Sequence, residues 1–282
     1  MRHLKLSMRL ALDAFRHFLA DDGWAIASHI ALSSLMALFP FLIVVTVLAG
    51  VFFGSKQLAD EAARIILEAW PEQVAGPIAL DITGVLTSWR GDVLTFGALF
   101  ALYFASSGVE SLRIGLNRAY SMKEPRSWWL LRIESILYVL VGAVAILAFA
   151  FLVVLAPLIW AKLVRYVPHL EPFGGIVTFA RYAVAAVVLV SALIIVHSWL
   201  PAGRRRLTEI APGILATLAL WLITGNAFGR YLAEYAFAYA SMYAGLASVM
   251  IALVFLYVCA SIFVYGAELN SVIAKHRAKA TD

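Results

Sequence analysis

Residues 24–53 read WAIASHIALSSLMALFPFLIVVTVLAGVFF, a run without a single Asp, Glu, Lys or Arg. A helix needs about 20 predominantly apolar residues to cross the hydrocarbon core of a bilayer, so this stretch is long enough to span with some tilt. In lipid each backbone N–H and C=O must find its partner within the segment, which makes the run a helix and not a strand. The rest of the chain has the same character. Of 282 residues, 63% are hydrophobic and only 14% are charged, with a mean hydropathy of +0.89. Soluble domains carry about a quarter charged residues, so the composition excludes that class.

Working outward from residues 24–53, five further stretches qualify as spans: roughly 93–109, 135–161, 176–200, 210–228 and 246–266. The expected architecture is all-α. A single membrane domain over residues 1–282 holds a bundle of six transmembrane helices. An N-terminal interfacial amphipathic segment (1–22) precedes it and a polar tail (267–282) follows. Residues 1–22 keep meeting charges (Arg2, Lys5, Arg9, Asp13, Arg16), unlike the short apolar core of a cleavable signal, so the first span is expected to stay as an anchor. Leu4, Met8, Leu12, Phe15 and Leu19 mark one face of a helix suited to the membrane interface. The long loop 54–92 has a helical pattern broken at Pro71, and short external-loop helices are expected there.

Orientation follows from Lys and Arg. With six spans, the N-terminal segment, the second loop (Arg113 to Arg132), the fourth loop (Arg204, Arg205, Arg206) and the tail lie on one side and hold 15 of them. The other side holds 7. The excess places both termini in the cytoplasm. The net charge of +5 is therefore a topological signal and not a nucleic-acid one. Cys259 is the only cysteine, which excludes an intrachain disulfide.

Polar groups inside spans are costly and usually face the bundle interior. Ser106, Glu110, Arg113, Asn117 and Tyr120 fall within an arc of roughly 80° at 100° per residue, forming a stripe at the inner end of the second span. Glu110 and Arg113, three residues apart, are placed to pair. Glu268 and Asn270 end the last span, and His29 and Ser33 begin the first, at a similar depth. Three readings are open. The groups tie helices together, or they line a cavity for an anionic headgroup beside the arginines of the next loop, Arg126 and Arg132, or they snorkel to the interface. Arg181 sits in the outer part of the fourth span, and His197 is expected to reach the interface. Helix breaks or hinges are expected at Pro40, Pro212, Gly213, Gly225, Asn226 and Gly245.

Enzyme signatures are missing. The six histidines show no metal-ligand spacing, and there is no glycine-rich phosphate loop or nucleophile elbow. The expectation is a protein that is no enzyme and holds no cofactor and no metal. Its partners are the lipid bilayer, an anionic lipid and envelope proteins, with no nucleic acid.

Several separated motifs carry a family resemblance: Ser34-Leu-Met-Ala-Leu-Phe-Pro40, Ser106-Ser-Gly-Val109 leading to Leu116-Asn-Arg-Ala-Tyr120, Pro125-Arg126 with Arg132, Ala211-Pro-Gly213, the Tyr243–Ser248 stretch and Gly266-Ala-Glu-Leu-Asn270. Over roughly residues 15–275 the chain resembles the YihY/BrkB family of bacterial inner-membrane proteins, formerly labelled ribonuclease BN-like. It departs from the family in the inserted Ala244 and in Phe255, where Trp is usual. The resemblance implies six spans and a transporter or envelope factor, some members being associated with resistance to serum killing or with lipid export. The leading expectation is a transporter or flippase-like carrier of an amphipathic, anionic lipid-type substrate. The alternative is a membrane scaffold for envelope maintenance. Ribonuclease activity fits poorly, because phosphodiester hydrolysis usually needs clustered metal ligands.

Overall fold

The computed structural model describes residues 2–53, 94–166, 174–243 and 246–279. Among them are seven α-helices and no strand: α1 (Arg2–Ala20), α2 (Gly23–Phe53), α3 (Leu94–Ala119), α4 (Trp128–Tyr166), α5 (Gly174–Trp199), α6 (Leu207–Tyr243) and α7 (Ala247–Lys279). Each expected span lies in one of α2 to α7. The helices outrun the apolar runs because polar flanking turns continue the same hydrogen-bond ladder. Thus α4 has 39 residues, and the expected tail is largely a continuation of α7 to Lys279. Four helices are long and apolar enough to cross a membrane, over Gly23–Val45, Trp128–Phe149, Leu207–Glu234 and Ala247–Ala278. In α5 only Ala183–Trp199 forms a shorter apolar stretch, and the second half of α3 carries Glu110, Arg113 and Arg118. The external-loop helices expected within 54–92 lie outside the described residues, as does Gly245.

Helix α1 packs on α7 with its small and aromatic side. Ala14 and Phe18 are buried, and the Tyr265 hydroxyl donates to the Ala11 carbonyl at 3.2 Å. Met8, Leu12, Phe15 and Leu19 stay exposed, so the apolar stripe read from the sequence faces away from the protein, as an interfacial helix requires. A two-residue turn, Asp21-Asp22, leads into α2. Asp22 takes the left-handed conformation (φ 57°), which Asp tolerates through its short polar side chain.

Helices α2 and α3 run against each other at small residues. A Cβ on Gly108 would sit 3.0 Å from the Ala37 methyl. Helices α6 and α7 cross still more closely: a Cβ on Gly213 would collide with the Gly266 carbonyl and the Asn270 amide. In membranes, where lipid tails are as apolar as leucine, such close backbone approach is a main source of helix association. One buried cluster joins α1, α2, α3 and α5 to α7 through Phe18, Ile30, Leu116, Leu200, Ile210 and Phe263. A second joins α2, α3 and α4 through Val44, Val45, Ala101, Ala105 and Val139.

Candidate functional site: a polar node between helices and an open cleft

The stripe on α3 is buried, apart from the half-buried Glu110, and paired across helices. The sequence places Glu110 and Arg113 to pair within α3, but the structure gives each a partner on α4. Arg132 reaches Glu110 at 2.9 Å, donates to Ser106 Oγ at 2.9 Å and lies over the Tyr103 ring, 4.4 Å from its centroid. Arg113, 2% exposed, donates to the Leu131 carbonyl at 3.1 Å and faces Glu134 at 3.6 Å. The reason is geometric. The short 120–127 connection lays the first turns of α4 beside the last turns of α3, so interhelical partners replace the intrahelical one.

Further along, the stripe becomes a node. Asn117 Oδ1 accepts from the Ala202 amide at 2.6 Å, and its Nδ2 donates to Glu124 at 2.9 Å. The Tyr120 hydroxyl bonds His197 Nδ1 at 2.9 Å. Asn270 donates to the Tyr120 oxygen at 3.3 Å and accepts from the Gly213 amide at 2.6 Å. His197 is thus fully buried and does not reach the interface. The chain sign missed in sequence is this tyrosine–histidine pair, which joins positions far apart along the chain. Burial raises the Tyr120 pKa to about 12, and the Arg205 guanidinium covers its ring at 3.7 Å.

Among the described residues, the expected proline and glycine breaks do not interrupt the helices. Both α2 and α6 run unbroken through Pro40 and Pro212. Pro212 has no N–H for the Thr208 carbonyl, and Arg277 of α7 donates to that carbonyl instead at 2.9 Å. Gly213 serves close approach. Gly225 faces open space, and α6 continues through Asn226. His29 is exposed and Ser33 half-buried, and neither joins the node. Arg181 lies in α5, its side chain outside the described residues.

The arginine-rich loop is occupied by carboxylates. Arg126 donates to Glu124 at 2.7 and 2.8 Å, to Glu134 at 2.7 Å and to the Leu200 carbonyl at 3.1 Å. The hydrogen bonds from Arg126, joined by that from Asn117, hold the Glu124 carboxyl down at about 2, and the same contact raises Arg126. An open anion site at Arg126 or Arg132, as the loop's composition implied, is not what the geometry offers.

A large cleft lies elsewhere than along the stripe. About 730 Å³ in volume, it opens between α4 and α5 and shares only Arg126 with the candidates read from sequence. Leu137, Val141, Ile195 and Trp199 form its apolar wall, each turned outward and exposed. Glu134, Ser198 and the exposed Arg204 form its polar end. The Ser198 hydroxyl is buried without a hydrogen-bond partner. Glu268 also stands apart from the node: it is 1% exposed, one of its oxygens has no partner, and it faces His17 and Asp21.

Long apolar helices with outward apolar faces, polar groups gathered at one end and no strand among the described residues define a multi-pass α-helical membrane protein. The chain belongs to the family described as Virulence factor BrkB, whose family model matches residues 14–282. It is similar to the ribonuclease-like protein YfkH of Bacillus subtilis, 24% identical over 96% of this chain and 97% of that protein. It is also similar to a UPF0761 membrane protein of Rhodospirillum centenum, 23% identical over 99% of this chain, which spans only 61% of that longer protein. No solved structure matches.

Proposed function

We propose that this chain is a six-span protein of the bacterial inner membrane, with both termini in the cytoplasm, that binds an amphipathic phospholipid-type molecule in the cleft between α4 and α5 and carries or exposes it. The cleft itself carries the reading: apolar walls open sideways to lipid and end at Arg204 and the unpartnered Ser198 hydroxyl. Acyl chains fit along Leu137, Val141 and Trp199, and the phosphate fits against Arg204, a residue type suited to it. Glu134 at the same end is already held by Arg126 and Arg113, which leaves Arg204 to meet the anionic headgroup. The reading includes no catalytic step, neither nuclease nor other. The hydrogen bonds that the node makes between helices support a second reading, a rigid scaffold whose charged end docks envelope proteins.

Native mass spectrometry of gently extracted protein separates the two. Losing a charge-assisted hydrogen bond of ~1.5–3 kcal/mol should lower retained phospholipid about tenfold or more in Arg204→Gln. Filling the cleft with Val141→Trp should do the same, and both variants should keep the wild-type size-exclusion profile. Unchanged lipid in both variants would remove the carrier reading and leave the scaffold.

A further inference from the structure

The end of α1 and the inner end of α7 face each other with three metal-ligating side chains. His17 and Asp21 are four residues apart, one helical turn, and so lie on one face. Their placement is held from several directions. The Asp21 amide donates to the His17 carbonyl at 2.9 Å, Phe18 is buried against Gly23 so closely that a Cβ there would strike its ring, and Tyr265 ties α7 to the Ala11 carbonyl. Opposite them on α7 is Glu268. One ligand atom from each of His17, Asp21 and Glu268 lies within 4.8 Å of the other two.

Glu268 supplies the independent observation. It is 1% exposed, and its Oε1 is buried with no hydrogen-bond partner. A buried carboxylate without a partner is strongly disfavoured. The nearby cations do not satisfy it. Arg118 is directed to Asp21 at 3.8 Å and to Asp22 at 3.5 Å, and Lys275 is exposed.

We infer that His17, Asp21 and Glu268 bind a divalent transition-metal ion, which fastens α1 to α7. An ion with ligands at about 2.0–2.2 Å draws its donors somewhat closer than they stand here. One imidazole nitrogen and two carboxylate oxygens suit Zn²⁺, Mn²⁺ or Fe²⁺ better than Ca²⁺ or Mg²⁺, whose sites favour oxygen alone. Three protein ligands leave positions for water. A groove of about 280 Å³ lined by Asp13, His17, Lys275 and His276 borders the site at His17. Because α1 keeps Met8, Leu12, Phe15 and Leu19 exposed, the ion holds an amphipathic helix at a set position on the bundle. The site does not depend on the lipid cleft.

The test uses untagged full-length protein in nanodiscs, stripped with chelator and dialysed against Zn²⁺. Wild type should retain one Zn²⁺ per chain. His17→Gln and Asp21→Asn, both outside the bundle core, should weaken binding at least about tenfold, a loss no smaller than that from removing an outer-shell partner. Glu268→Gln should do likewise. His276→Gln, on the groove but outside the ligand set, should bind as wild type. Three results would overturn the site: a wild type that binds no stoichiometric Zn²⁺, folded His17→Gln and Asp21→Asn that keep it, or an equal loss in His276→Gln.

Discussion

His197 and Ser198 are neighbours on α5, both buried, and they serve opposite regions of the molecule. His197 turns into the node, where Tyr120, Asn270, Gly213 and Asn117 exchange hydrogen bonds between helices. Ser198 turns to the cleft, where its hydroxyl has no protein partner. Most node groups are paired across helices, although His197 Nε2 has no partner, and in the cleft Arg126 and Glu134 are paired while the Ser198 hydroxyl is not. A polar residue at membrane depth is therefore not in itself a sign of a substrate. What distinguishes the two regions is how many hydrogen bonds cross between helices: several in the node, none at Ser198.

The comparison breaks most visibly at the α6–α7 crossing. In Gly213→Val the new side chain meets the Gly266 backbone and displaces Asn270. Overpacking costs ~1–3 kcal/mol, and each node group left unpaired adds ~1–3 kcal/mol. The folded peak in fluorescence-detected size exclusion should disappear, while Gly225→Val, pointing to open space, should keep it. A folded Gly213→Val protein would mean that the node is not structural.

Next in size is the charge exchange between α3 and α4. Removing one member of a buried pair costs ~3–5 kcal/mol, so Arg113→Gln should markedly reduce folded protein. Because its partner is Glu134 on α4, exchanging Glu110 and Arg113 should not restore it. Adding Glu134→Gln to Arg113→Gln should deepen the loss, because Glu134 also holds Arg126 at 2.7 Å. Rescue by the Glu110–Arg113 exchange would return the pairing to α3 alone.

The smallest effect sharpens the border between node and cleft, at Glu124. Folding lowers its pKa from the ordinary 4.5 to about 2, so its stabilising effect is complete above pH 4.5 and is lost as pH falls through about 2. At about 1.4 kcal/mol per unit of pKa, the difference in unfolding free energy between wild type and Glu124→Gln should reach ~3 kcal/mol at most near neutral pH. It should shrink steadily in acid. A pH-independent difference would show that Arg126 and Asn117 do not hold this carboxylate.

The sequence by itself determined the helical membrane class, because a bilayer selects for long apolar runs and such runs are a local property of the chain. The polar stripe on α3 was legible for the same reason: 3.6-residue periodicity puts Ser106, Arg113 and Asn117 on one side whatever surrounds them. Its partners were not legible. Spacing on one helix offered Glu110 to Arg113, whereas the fold supplied Arg132 and Glu134 from the next. His197 read as an interfacial histidine until the packing of α5 against α3 and α7 turned it to Tyr120. Only the tertiary structure decided that the arginine-rich loop is occupied by its own carboxylates, that the cleft lies between α4 and α5, and that His17 and Asp21 from one end of the chain meet Glu268 from the other. Hydrophobicity is summed along the chain, but hydrogen bonds, ion pairs and metal ligands are matched across space.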